Sequence, residues 1–115
     1  MEVDETIAGN DDDLQKVNQI INFCRGNYYI THSKTDSLAV SGIEICERLN
    51  FSSEKIILET YIAFFLWHNN EPQKAIAIIH SISVKLVANK NYLEFSLGVI
   101  ISSLIEWAKG NVELA

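Results

Sequence analysis

Ala63-Phe-Phe-Leu-Trp67-His-Asn-Asn70-Glu-Pro72-Gln-Lys-Ala75 is answered forty positions later by Ser103-Leu-Ile-Glu-Trp107-Ala-Lys-Gly110-Asn-Val-Glu-Leu-Ala115. Trp67 matches Trp107, and Ala75 matches Ala115 at the same spacing. Small Ala63 matches small Ser103, and turn-forming Asn70 matches Gly110. A fixed period in the twenties to fifties is the signature of stacked structural repeats.

The pattern has a packing logic. A small residue in one helix and an alanine in the next let two antiparallel helices approach closely. Asn69-Asn70 before Pro72, and Gly110-Asn111, supply a tight turn and a cap for the following helix. Pro72 suits a first helical turn, where its missing N–H is not needed. Ala39, Ala63, Trp67, Ala75, Ser103, Trp107 and Ala115 are therefore expected to be helix-packing positions. The unit is that of tetratricopeptide-like repeats, lengthened toward HEAT-type repeats of about 40 residues.

Outward from this stretch, apolar residues recur at helical spacing along nearly the whole chain. Helices are expected over 12–25, 37–49, 53–68, 71–88 and 91–109, with residues 1–11 as an acidic flexible tail. Asp36 or Ser37 is expected to cap the second helix, and Asn91 with Glu94 to form a capping box for the fifth. Ile56–Trp67 has almost no polar face, as a helix buried on several sides requires. Gly42 inside the second helix marks a close approach by a neighbour. A looser upstream copy sets Ala39 against Ala75. Gly110 is expected to end the fifth helix and Val112–Ala115 to begin a sixth, cut short. The fold class is all-α: antiparallel hairpins over 12–49, 53–88 and 91–115, the last incomplete, stacked as an α-solenoid. The sequence thus reads as a slice of a longer array whose C-terminal end exposes apolar surface around Leu104 and Trp107.

Composition narrows function. The 115 residues carry a net charge of −6 with nine basic residues spread throughout, which is no footprint for duplex nucleic acid. Cys24 and Cys46 lie in apolar helical patterns without a CxxC pair, which suits small buried thiols in an intracellular protein. The acidic N-terminal residues lack the basic-then-apolar layout of a signal peptide, and the longest apolar runs fall short of membrane-spanning length. His32, His68 and His80 form no metal-ligand spacing, and the glutamates are scattered as solvated helix faces require. Asp11-Asp12-Asp13 lacks the rest of a calcium loop and reads as negative charge at a helix start. No catalytic, cofactor or metal residue is expected in this segment.

The order of features resembles the FAT region of the ATM-type phosphatidylinositol-3-kinase-related protein kinases. The resemblance is carried by Ile21–Arg25 with Asp36–Ala39, by Leu58–Trp67 with Gln73–Ile79, and by Leu104–Ala108. It implies a helical scaffold within a large nuclear serine/threonine kinase concerned with DNA-damage signalling and telomere maintenance. Its partners would be neighbouring repeats, a protein, or a second copy through the C-terminal hairpin. Met1 and the acidic start depart from that setting. The rival expectation is a stand-alone tetratricopeptide-like adaptor that binds a peptide along Asn69, Lys74 and Lys85.

Overall fold

Five helices are present among the described residues: α1 (Glu2–Asn27), α2 (His32–Leu49), α3 (Ser52–His68), α4 (Pro72–Ala88) and α5 (Tyr92–Leu114). The computed structural model describes the backbone of residues 2–114 and the side chains of residues 12–109, so Ala115 lies outside it.

Three of the four connections close by one device. Asn50, Asn70 and Lys90 adopt left-handed backbone, with φ of 61°, 67° and 61°. The next residue in each case, Phe51, Glu71 or Asn91, donates its N–H to the carbonyl of Cys46, Leu66 or Leu86 at 2.9, 2.8 and 2.8 Å. That six-to-one bond is the Schellman closure, which satisfies carbonyls orphaned at a helix end. The left-handed residues stand twenty positions apart, so one helix with its turn occupies twenty residues and a hairpin forty. Side-chain caps contribute little: Thr31, Phe51 and Glu71 precede α2, α3 and α4 without a capping side-chain bond.

Three expected boundaries are corrected. α1 begins at Glu2, so helix replaces the expected tail. α2 begins at His32 rather than near Ser37, because its first turn is held by tertiary packing of His32 and Thr35 and needs no local cap. α5 runs through Gly110 to Leu114, so there is no turn at Gly110 and no sixth helix begins among the described residues. A lone glycine costs a helix only about 1 kcal/mol, and further hydrogen-bonded residues offset that.

Each helix packs on its neighbours in sequence, α1 also meets α3, and α3 also meets α5. α2 and α4 do not meet. The result is two layers, α1–α3–α5 against α2 and α4. α3 touches all four other helices, which is why its sequence carries almost no polar face.

The forty-residue period is clearest in burial. Thr35, Ala39, Gly42 and Cys46 of α2 are buried, as are Ala75, Ile79, Ile82 and Leu86 of α4, each forty positions later. Ala39 therefore corresponds to Ile79, not to Ala75. At Gly42 a Cβ atom would lie 2.6 Å from Leu58 Cδ1 and 3.5 Å from Ile20, so α1, α2 and α3 converge there. Ala63 and Ala75 are buried in one cluster with Ile79, Ile101 and Ile105.

Candidate functional site

Among the described residues two histidines and both cysteines are stacked or buried, and His80 stands alone. His32 and His68 stack with ring centroids 3.6 Å apart and planes within 18°, and His32 lies over Phe64 at 5.9 Å. Nitrogen lone pairs of nearly parallel imidazoles run side by side and do not converge on one ion. Among the described residues no cluster of three metal-ligating side chains occurs. His80 stands exposed on α4. Cys24 and Cys46 are buried free thiols, and burial pushes them up to about 12 and about 11. They are held protonated, the opposite of what a nucleophile requires.

Glu94 overturns its expected place on a solvated face. It is fully buried, and both carboxylate oxygens are engaged. Arg25 of α1 donates from Nε to Oε2 at 2.9 Å and from Nη2 to Oε1 at 3.0 Å. The Tyr61 hydroxyl of α3 also donates to Oε2. Burial, with the carboxylate beside it, pushes the Tyr61 hydroxyl far above its usual range, and the same carboxylate raises Arg25. A carboxylate so saturated has no free lone pair aimed at solvent for acid–base work, and it serves to tie three helices together. The expected capping box does not form, and Asn91 Oδ1 is buried without a partner among the described residues.

What is left open is apolar. Leu93, Leu97, Ile100, Leu104 and Trp107 recur along α5 at alternating steps of four and three, the spacing of a coiled-coil seam. Leu93, Ile100 and Leu104 are exposed, and Trp107 is 67 % exposed. Trp107 and Ser103, expected at packed positions, thus face outward, whereas Trp67 is half-buried against the Ala63–Ala75 cluster. The reason is neighbourhood. Ile57, Thr60, Phe64 and Trp67, forty positions earlier on α3, are at least half-covered because α3 lies between four helices. Among the described residues α5 packs only on α3 and α4, and α1 reaches it through Arg25 alone, near its N-terminal end.

Beside this stripe lies a groove of about 370 Å³ between the α3–α4 turn and the C-terminal half of α5. Trp67, Pro72, Leu104, Ile105 and Ala108 line it, with Asn70 and Lys109 at its polar positions. No described helix is long and apolar enough to cross a membrane. No family model, curated protein or solved structure matches this chain.

Proposed function

We propose that this chain is a non-catalytic scaffold, its helical hairpins stacked as an α-solenoid, and that α5 receives a protein partner along its open stripe. One observation carries the reading: Ile100, Leu104 and Trp107 of the α5 seam are uncovered where the matching Thr60, Phe64 and Trp67 of α3 are covered. The forty-residue burial period of α2 and α4 supports the solenoid, since each repeat then meets its neighbour in the same register. An ATM-type kinase of the nucleus, engaged in DNA-damage signalling and telomere maintenance, is the parent proposed for it. That parent rests on the hairpin motifs alone, and a reading frame that stops after Ala115 would remove it.

The stand-alone adaptor has its own support. Lys74 and Lys85 are exposed about three turns apart on one side of α4, with Asn69 exposed in the turn before it.

Hydrophobic-dye binding and sedimentation of the wild-type chain test the docking face against I100E/L104E. The wild type is expected to bind dye and associate, with itself or an added helical partner, and the double variant to stay helical, dye-free and monomeric. A wild-type chain without dye binding or association at high concentration would sink the reading.

A further inference from the structure

The two hairpin junctions are built to one plan, and only the first is filled. Forty positions before Pro72, Leu104 and Ala108 stand His32, Phe64 and His68. At the first junction these rings occupy the space between turn and helix. His32 stacks on His68 at 3.6 Å, lies over Phe64 at 5.9 Å, and Tyr28 closes edge-on against Phe64 at 4.8 Å. At the second junction a proline, a leucine and an alanine replace the three rings, and the groove of about 370 Å³ remains. Protein interiors are close-packed, so a hollow of this origin suits a planar aromatic side chain.

The chain carries such a side chain beside the hollow. Trp107 is the most exposed aromatic residue on α5 and precedes Ala108 of the groove lining. Successive helical residues point about 100° apart, so Trp107 is turned away from the groove of its own copy. We infer that this face joins a second copy of the chain, with the indole of Trp107 from each copy filling the groove of the other between Trp67, Pro72, Leu104 and Ala108. Plug and groove lie on one turn of one helix. A two-fold axis through that turn satisfies both sites at once and closes the assembly, whereas a plug and groove at opposite ends would generate a filament. The adjoining exposed Ile100 and Leu104 extend the contact, because a seam of alternating four and three steps pairs with itself.

The inference rests on α5 being a docking face, and its test separates the two. Sedimentation equilibrium of the full chain is compared for the wild type, W107A and P72H/A108H, the last rebuilding the two histidine rings of the first junction while leaving Trp107 in place. A wild-type dimer is expected, weakened at least about tenfold by either change, as loss of a buried tryptophan anchor is. Circular dichroism establishes that each variant is folded; if P72H/A108H is not, A108L fills the groove in its stead. A dimer that persists in folded W107A and in the groove-filled variant overturns the inference. If I100E/L104E still dissociates that dimer, the docking face stands without the slot. A monomeric wild type at high concentration overturns the inference outright, and dye binding by the same sample shows whether the face remains a docking surface for another protein.

Discussion

Arg25 on α1 clamps Glu94 on α5 across 69 positions of sequence, with both of its bonds 3.0 Å or shorter. Tyr61 of α3 completes the contact, so one carboxylate joins all three helices of a layer. A buried ion pair adds little net stability by itself, but breaking one strands a charge in low dielectric. R25M is therefore expected to cost about 3 kcal/mol at neutral pH. E94Q should cost less, because the Arg25 side chain is 36 % exposed and can turn to water. Urea unfolding at neutral pH checks both. A loss for R25M of only a few tenths of a kcal/mol, as for an exposed ion pair, would show that Glu94 is not buried as described.

Two glycines should respond in opposite ways to alanine. At Gly42 the new methyl would meet Leu58 Cδ1 at 2.6 Å, and Leu58 is itself fully buried. Overpacking of about 1–3 kcal/mol outweighs the gain in helix propensity of at most about 1 kcal/mol, so G42A destabilises. Gly26 has nothing within 4 Å of the new atom and lies within α1, so G26A stabilises by about 0.5–1 kcal/mol. Denaturant midpoints decide, and a stabilised G42A would contradict the three-helix convergence.

The turns make a second matched pair. Lys90 holds a φ of 61° that lysine adopts at a cost of about 1 kcal/mol, so K90G should stabilise by about that amount. Gly110 stands twenty positions further on but is helical, so G110A should raise helicity and leave the fold intact. Circular dichroism and thermal melts separate the cases. Destabilisation by G110A would mean that the chain turns there, as its spacing suggests.

What could be read from sequence was what repeats locally. The five helices, the all-round apolarity of α3 and the tight approach at Gly42 each leave a mark within a few turns. Glu94 left none, because its partners lie on other helices and a buried carboxylate looks like a surface one until the chain is folded. The same holds for His32 and His68, which meet only because α2 starts beside the end of α3. Gly110 misled for a different reason. Its spacing from Asn70 is that of a turn, but asparagine and glycine at a left-handed position only permit a reversal, and packing decides whether one occurs. Trp107 followed from that same step, since its packed position required a helix to fold back over it.

The buried thiols set the alkaline limit of the fold. Burial pushes Cys24 up to about 12 and Cys46 up to about 11, against an ordinary value of 9.0. Above pH 9 the unfolded chain releases these protons while the folded chain retains them. The unfolded state then binds fewer protons, so stability falls as pH rises, by up to about 1.4 kcal/mol per unit for each thiol until its folded-state value is reached. The buried Tyr61 hydroxyl acts in the same direction. Urea midpoints measured from pH 7 to pH 11 should be level at first and decline beyond pH 9, and C24A/C46A should decline less steeply. In the same experiment Ellman's reagent should label the native thiols only as fast as the helices open. Rapid labelling of the native chain, or a wild-type midpoint that holds level to pH 11, would contradict the burial of both sulfurs.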